Sequence, residues 1–183
     1  MRLKCFSGIA SALELRPVSI DDLSNVRYLH ASSYRSLVGP TVDPDEADTF
    51  LGLVNSPYYA DQILAERHFA AWLGRELVGS AGWVLSDDGT RCARLSSVFV
   101  QPMFTRCGVG RRLVRHVEGD ARDMGVERFH LKATENSVGF WEKLGYRPGA
   151  RATSSRSRVT ERYMEKVDAS LAGFTKQRRL ELV

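Results

Sequence analysis

The 183-residue sequence lacks long apolar runs, and none approaches the roughly 18 residues that a bilayer span needs. It is poor in cysteine, and Cys5, Cys92 and Cys107 are odd in number and lack the spacing of metal ligands. We therefore expect reduced thiols, a cytoplasmic protein and no bound metal. The excess of positive charge is also small, with a formal net charge of +4. This charge suits an anionic ligand, but it is modest for a nucleic-acid-binding protein.

The composition is that of one folded domain, with 43% hydrophobic and 26% charged residues. We predict a leader at residues 1–12, a domain at 13–168 and an extension at 169–183. The leader carries Arg2 and Lys4 before a short apolar stretch, but it is shorter than the roughly 15 to 30 residues of a secretory signal. We expect a frayed lead-in to the first strand. The extension is either disordered or a short helix that packs on a second copy of the chain, giving a homodimer.

Hydrophobic periodicity predicts a mixed α/β fold. Helix starts are predicted near Ser19 and Asp43, where N-capping residues precede acidic ones, and Gly125 is the expected C-cap of a later helix. Strands are predicted at 13–16, 69–73, 77–85, 92–100, 127–133 and 161–167, with another starting at 146. Hairpin-length turns at 74–76 and 87–90 make three of them an antiparallel meander. The crossover helix that follows makes the 127–133 strand parallel to the 92–100 strand.

The turn after the 92–100 strand is the most informative stretch. Pro102 ends that strand, and a helix with apolar residues at three-to-four spacing begins at Gly108 and Gly110. That helical face comprises Val109, Leu113, Val117, Ala121 and Met124. The first N–H groups of such a helix are unpaired and lie at the positive end of its dipole. The turn is therefore a predicted anion site, with phosphate as the usual guest.

Two known phosphate-binding motifs fail at this turn. The dinucleotide fingerprint needs a third glycine where Leu113 stands, and a nucleotide-triphosphate loop needs Lys-Ser/Thr where Arg111 and Arg112 follow the second glycine.

The turn instead resembles the pyrophosphate-binding loop of the GNAT superfamily of acyl-CoA-dependent N-acyltransferases, with Val100, Pro102, Gly108 and Gly110 in register. Thr105 departs from the family's Gln or Arg, and three neighbouring arginines are expected to offset it by charge: Arg106, Arg111 and Arg112. Residues 136–146, Asn-Ser-Val-Gly-Phe-Trp-Glu-Lys-Leu-Gly-Tyr, are similar to the family's closing helix and turn. The resemblance implies a GNAT fold, a central mixed, mostly antiparallel twisted sheet of about six to seven strands flanked by about four helices.

The resemblance also implies where acetyl-CoA would bind. In the family, two parallel strands splay apart, and the pantetheine arm bonds to the exposed main chain between them. The residues that match these positions, together with the loop, are Val98, Phe99, Val100, Thr105, Arg106, Cys107, Gly108, Val109, Gly110, Arg111, Asn136, Phe140 and Trp141. The implied partners are acyl-CoA and an amine acceptor, with no membrane and no nucleic acid.

The catalytic residues are not evident from the sequence. An amine of pKa near 10.4 is neutral only about once in 2,500 at pH 7, so a base or an ordered water is needed. His68 and His130 on predicted strands and Glu135 beyond them are weak candidates, each more typical of a surface or core residue. Trp141 occupies the position of the tyrosine that commonly protonates the leaving thiolate, and Tyr146 or Tyr163 are possible substitutes.

Two functional hypotheses follow. The first is an N-acetyltransferase that transfers an acetyl group from acetyl-CoA to a primary amine by direct attack in a ternary complex. The second, favoured by Trp141, is a catalytically weak or inactive acyl-CoA sensor or interaction module. Tyr34, Tyr58 and Tyr59 are candidate acceptor contacts, although packing is the more common role of such residues. A basic loop with Arg151, Arg156 and Arg158 contacts an anion or is simply solvated.

Overall fold

The computed structural model describes residues 8–86, 90–153 and 160–167. The helices in these ranges are α1 (Ile9–Ala12), α2 (Leu23–Leu37), α3 (Pro44–Val54), α4 (Pro57–Ala65), α5 (Val109–Asp123) and α6 (Val138–Glu142). The strands are β1 (Glu14–Pro17), β2 (Arg67–Leu73), β3 (Glu76–Leu85), β4 (Cys92–Val100), β5 (Arg128–Thr134), β6 (Arg147–Thr153) and β7 (Thr160–Val167).

The strands form a single open sheet in the order β1-β2-β3-β4-β5-β7-β6. Every neighbouring pair is antiparallel except β4 and β5, which are parallel. This confirms the predicted mixed, mostly antiparallel sheet and the parallel strand after the crossover. The described ranges contain more helices than the expected four because α1 and α4 were not predicted.

The helices cover the two faces of the sheet. On one face, α5 buries Leu113, Val117 and Ala121 against a core that includes Leu95 and Phe129. On the other face, a second core is formed by side chains of α2, α3, α4 and the central strands, among them Val26, Leu29, Val54, Ile63 and Ala70. Each buried large aliphatic side chain contributes about 1.5–3 kcal/mol, so both cores hold the sheet between its helices.

Local sequence rules set the helix ends. Ser19 and Asp22 form a capping box at the turn before α2, and Asp43 accepts a hydrogen bond from the Asp45 N–H at 3.0 Å at the start of α3. Gly125 has φ of +84° one residue after the C-cap of α5, as its predicted capping role requires. The prediction that Met124 lies on the buried face of α5 is wrong: the helix ends at Asp123, and Met124 is exposed.

β4 and β5 are paired over only part of their length. Cys92, Ala93 and Arg94 pair with Arg128–His130, and no pairing continues from Leu95 to Val100. A register shift between β3 and β4 lies in the unpaired part, where Ser97 has φ of +50°. Such a bulge bends a strand and re-aims its backbone groups. The two strands therefore leave a gap that opens toward the turn at residues 102–108.

Some predictions differ from the structure, and others concern residues outside the described ranges. Cys92 is a free thiol, but Cys107 is disulfide-bonded, so the expectation of reduced thiols is wrong at Cys107. Residues 8–12 of the predicted leader include α1, whose Ile9 packs against the core beside α5. Cys5, the turn at 87–89, the loop at 154–159 and the extension at 169–183 lie outside the described ranges. Among the helices described, none is both long and apolar enough to cross a bilayer.

Candidate functional site

The turn between β4 and α5 has the backbone shape of an anion site. Pro102–Phe104 form a short 3-10 turn, and Arg106 and Gly108 both have φ in the left-handed region, at +63° and +84°. Glycine reaches this region without the steric cost that a Cβ atom imposes. The turn therefore aims successive N–H groups in one direction, as in the concave nests that bind phosphate.

The amides of this turn are open. The Cys107 N–H donates to the Phe104 carbonyl at 3.4 Å. The N–H groups with no hydrogen bond to any described part of the chain are those of Arg106, Gly108, Val109, Gly110 and Arg111. Three of them belong to the first turn of α5, where the positive end of the helix dipole adds to their attraction for an anion.

Gly110 and the closing helix α6 meet beside this turn. A Cβ atom at Gly110 would stand 3.3 Å from Cζ of Phe140 and 3.5 Å from a methyl group of Val100. Phe140 itself packs against the α5-side core. The two motifs that the sequence analysis singled out are therefore in direct contact, and together they form one wall of the gap.

The three arginines of the turn have different environments. Arg106 and Arg111 are exposed, and neither forms an ion pair or hydrogen bond within the described ranges. Arg112 instead donates to the carbonyl of Ala10 in α1, and Ala10 lies against Gly108. Two positive charges are thus available to an anion at the turn, while the third holds the N-terminal helix in place.

The predicted pantetheine positions line the gap. Val98, Phe99 and Val100 are half-buried on the unpaired part of β4. The Val100 carbonyl accepts a hydrogen bond from the buried Ser33 hydroxyl at 2.9 Å, which fixes this strand to α2. Asn136 is exposed beyond the end of β5 and donates to the Leu37 carbonyl at 2.8 Å, so it ties the closing helix to the end of α2.

A sheet whose parallel strands part beside an open glycine turn matches a known family. The model of the Acetyltransferase (GNAT) family matches residues 37–146, which is more than half of the chain. This chain belongs to the GNAT acetyltransferase family. The match spans β4, the turn, α5 and the closing helix α6.

Solved structures share the GNAT fold. PaiA N-acetyltransferase from Thermoplasma acidophilum, crystallised with coenzyme A, superposes with a TM-score of 0.73 at 19% identity over 85% of this chain and 99% of that one. A GCN5-related N-acetyltransferase from Rhodopseudomonas palustris superposes with a TM-score of 0.75 at 20% identity, covering 85% and 95% of the two chains. At these identities the likeness extends to the fold alone.

A curated relative is more similar in sequence over a shorter stretch. The glucosamine 6-phosphate N-acetyltransferase of Trypanosoma brucei brucei is 32% identical over 75 residues. The match covers 39% of this chain and 51% of the relative, so this chain spans about half the length of the curated relative it matches.

The aromatic residues of the closing segment are packed rather than free. Trp141, at the position of the GNAT tyrosine, is buried with its ring edge-on to Phe140 and Tyr146. Tyr146 donates its hydroxyl hydrogen to Oε1 of Glu118 at 2.9 Å, and Lys166 Nζ lies 2.8 Å from the same carboxylate. Burial, with the Glu118 charge, raises the pKa of Tyr146 far above its usual value, which makes its hydroxyl a poor proton donor.

Two other candidate acid–base residues, His130 and Glu135, lie on or beyond β5, whereas His68 is buried on β2. His130 is half-buried, with Nδ1 3.3 Å from the Cys92 sulfur and its ring stacked on Tyr163. It faces the side of the sheet covered by α2 and pairs with Arg94, where the β4–β5 ladder ends. Glu135 is exposed and lies 3.3 Å from Arg162. Neither has a geometry that singles it out.

The three tyrosines predicted as acceptor contacts differ in their exposure. Tyr34 is buried and stacked on Phe50, Tyr59 is buried, and Tyr58 is exposed. The Tyr59 hydroxyl is 2.7 Å from His30 Nδ1, and His30 Nε2 is 2.6 Å from the Ser80 hydroxyl. Sequence reasoning missed this buried network because His30 occupies an ordinary core position of a helical pattern.

Proposed function

We propose that this protein is an N-acetyltransferase that transfers an acetyl group from acetyl-CoA to a primary amine by direct attack in a ternary complex. The observation that carries the proposal is the set of five open amides in the β4–α5 turn and the first turn of α5, beside a gap in the sheet. A coenzyme A diphosphate is an anion of the right kind for such amides. The gap offers unpaired strand backbone to the arm that follows the diphosphate.

The reaction needs the protein to hold the diphosphate, to orient the arm and to stabilise the developing oxyanion. The loop holds the diphosphate, and the unpaired edge of β4 orients the arm so that the thioester lies near the bulge at Ser97. The amine attacks the thioester carbonyl, where a positioned donor would stabilise the developing oxyanion. The sulfur then leaves with the bonding electrons. The pKa of a thiol, near 8.5, lies only about 1.5 units above pH 7, so the thiolate is a tolerable leaving group. The rate lost without an acid is therefore smaller than the full rate gain that general acid catalysis can supply.

The acceptor is proposed by class, as a primary amine. The similarity to a glucosamine 6-phosphate N-acetyltransferase makes an amino-sugar phosphate the first amine to test. Amino acids, polyamines and lysine-containing peptides complete the panel.

A thiol-release assay tests the proposal. Purified protein is mixed with acetyl-CoA and each amine of the panel, and free thiol is measured against a reaction without amine. Amine-dependent release that falls in a Gly110→Val variant supports the proposal. Acetyl-CoA that binds by calorimetry but releases no thiol above background with any amine would overturn it.

The second candidate function is an acyl-CoA sensor. It is favoured by the burial of Trp141 and by the commitment of the Tyr146 hydroxyl to Glu118. If lack of an acid limits a slow enzyme, a Trp141→Tyr variant should raise turnover, by less than about a hundredfold. A sensor would gain no turnover from the same change.

A further inference from the structure

Three residues lie side by side across the sheet on the face covered by α2 and α4. His68 of β2 pairs with Gly82 of β3, and Gly82 pairs with Ser96 of β4. Because side chains alternate along a strand, this row shares its face with Ala70 and Ser80 and is turned away from α5.

The missing side chain in the middle of this row makes room for its neighbours. A Cβ atom at Gly82 would stand 2.4 Å from His68 Nδ1, which is closer than real Cβ atoms come to another heavy atom, and a tight 3.0 Å from Oε2 of Glu66. Glycine at position 82 therefore lets two side chains from the start of β2 pass over β3 toward β4.

Glu66 is held at the far side of this passage. Its Oε2 accepts a hydrogen bond from the Ser96 hydroxyl at 2.5 Å, and Arg94 Nη2 lies 3.3 Å from Oε1. Burial would raise the pKa of Glu66, but His68, the Ser96 hydroxyl and the Arg94 charge together hold it below its usual value. The side chain is thus a fixed, 95% buried carboxylate, with 5% of its surface exposed.

His68 has no such set of partners. Its side chain is 1% exposed, and neither Nδ1 nor Nε2 makes a hydrogen bond to any described residue. Nδ1 lies 3.8 Å from Glu66 Oε2, which is beyond direct hydrogen-bond distance. A buried polar group that is left unsatisfied is destabilising, so an imidazole in this state points to a partner outside the chain, such as water or a proton donor.

The row ends where the sheet opens. Ser96 is two residues past Arg94, the last β4 residue paired with β5, and directly precedes the bulge at Ser97. Through its hydrogen bond from Ser96, the Glu66 carboxylate therefore reaches the part of β4 where the thioester of an extended coenzyme A arm would end, and His68 lies behind this carboxylate.

The other ionisable groups near His68 have hydrogen-bond or ion-pair partners of their own. The groups nearest to it are Glu66, with Oε2 3.8 Å from Nδ1, and His30 of α2, whose ring centre lies 5.8 Å away. One contact further out are Tyr59 of α4 beside His30 and Arg94 of β4 beside Glu66, and Arg94 pairs with His130 of β5. Burial, and the neighbouring His68, hold the pKa of His30 well below its usual value. His30 already has Tyr59 and Ser80 on its two nitrogens, so it remains neutral. Burial raises the pKa of Tyr59 to about 12, so its hydroxyl also keeps its proton.

We propose that His68 accepts the proton of the attacking amine through an intervening water, and that Glu66 is its positioning residue. This inference rests on the proposed acetyl transfer. One ammonium proton passes to His68, and the imidazolium is stabilised by the Glu66 carboxylate. The neutral amine then forms the C–N bond, the C–S bond breaks, and the sulfur leaves with the electron pair. The thiolate takes a second proton from the nitrogen, and His68 returns the first one to solvent.

The test is a pH profile of kcat/KM for wild type, His68→Gln and Glu66→Gln, with the amine that reacts fastest in the panel. We expect His68→Gln to lower kcat/KM at pH 7 by about 10²- to 10⁴-fold while coenzyme A affinity stays unchanged by calorimetry. The deficit should shrink as the pH rises toward about 10.4, because the amine then loses its proton unaided. Glu66→Gln should show a smaller deficit that shrinks in the same way. His116→Gln, on α5 against Phe69, is the matched control.

The possible results distinguish a failure of the His68 assignment from a failure of the proposed acetyl transfer. A His68→Gln variant with a wild-type profile, or with an equal loss at every pH, overturns the role of His68. If that variant does not fold, Glu66→Gln with a wild-type profile does the same. A wild-type protein without turnover on any amine overturns the proposed function and this inference with it.

Discussion

The ring of Phe140 lies directly over Gly110, so that a methyl group at position 110 would stand 3.3 Å from its Cζ atom. This contact joins the closing helix α6 to the first turn of α5, where the open amides are. A larger side chain at position 110 must displace Phe140 or move the turn, because packed interiors do not absorb extra atoms freely.

The first prediction concerns the two glycines of the turn. Gly110→Val should weaken coenzyme A binding at least tenfold, because it pushes Phe140 away and narrows the approach to the amides. Gly108→Ala should weaken binding and also destabilise the fold by about 1–2 kcal/mol, since Gly108 has φ of +84°. Calorimetric titration with coenzyme A measures both effects. Gly119→Ala is the matched control: it is a helical glycine of α5 with open space at its Cβ position, so binding should not change.

The second prediction concerns charge at the turn. Arg106→Ala and Arg111→Ala should each weaken coenzyme A binding several-fold, because both cations are exposed beside the amides and engaged by no described residue. The loss should shrink at 1 M salt, where the Debye length falls to about 3 Å. Arg75→Ala, in the exposed β2–β3 turn, should leave the affinity as it is. Equal losses for Arg75 and the loop arginines would contradict a local role.

The third prediction concerns acid stability. Arg16 donates two hydrogen bonds of 2.8 Å to Asp22, and this pairing lowers the pKa of Asp22 from an ordinary 3.8 to about 2. A carboxyl whose pKa is depressed by folding stabilises the fold above its unfolded pKa and loses that effect as the pH falls through its folded pKa. Asp22→Asn should therefore lower the free energy of unfolding by about 2 kcal/mol at pH 7, with the difference vanishing between about pH 4 and pH 2. Asp21→Asn, one residue away and exposed, should show neither effect in urea titrations.

The fourth prediction concerns the buried carboxylate of Glu118. It accepts hydrogen bonds from Tyr146 at 2.9 Å, Lys166 at 2.8 Å and Arg122 at 3.0 Å. Replacing it with alanine leaves these donors without their acceptor, so unfolding free energy should fall by about 3–5 kcal/mol. Glu142→Ala, at an exposed position of α6, should change it by less than about 0.5 kcal/mol. A loss at Glu118 no larger than the control's would contradict this account of Tyr146.

Local rules made much of the fold predictable from sequence. β4 ends at Val100 as expected because Pro102 cannot continue a strand, and α5 begins at Val109, between the two glycines where a helix start was predicted. The same kind of rule explains the end of α5 near Gly125. In each case the constraint lies within a few residues of the feature.

The proton-accepting pair was not predictable in this way. Glu66 meets Ser96 across 30 residues of chain, and only the register of β2, β3 and β4 brings them together. Nothing in the local sequence says that His68 is buried without a partner or that Gly82 makes its space. Tyr146 was one possible substitute for the tyrosine that Trp141 replaces, but its hydroxyl donates to Glu118, 28 residues earlier.

The central claim is that the open amides of the β4–α5 turn bind the diphosphate of coenzyme A. The most direct measurement is a ¹⁵N–¹H NMR titration of the protein with coenzyme A, and with pantetheine, which lacks the diphosphate, as the control. The account predicts that coenzyme A, but not pantetheine, shifts the amide signals of Arg106, Gly108, Val109, Gly110 and Arg111 together. Binding of coenzyme A that leaves these five signals in place would contradict it.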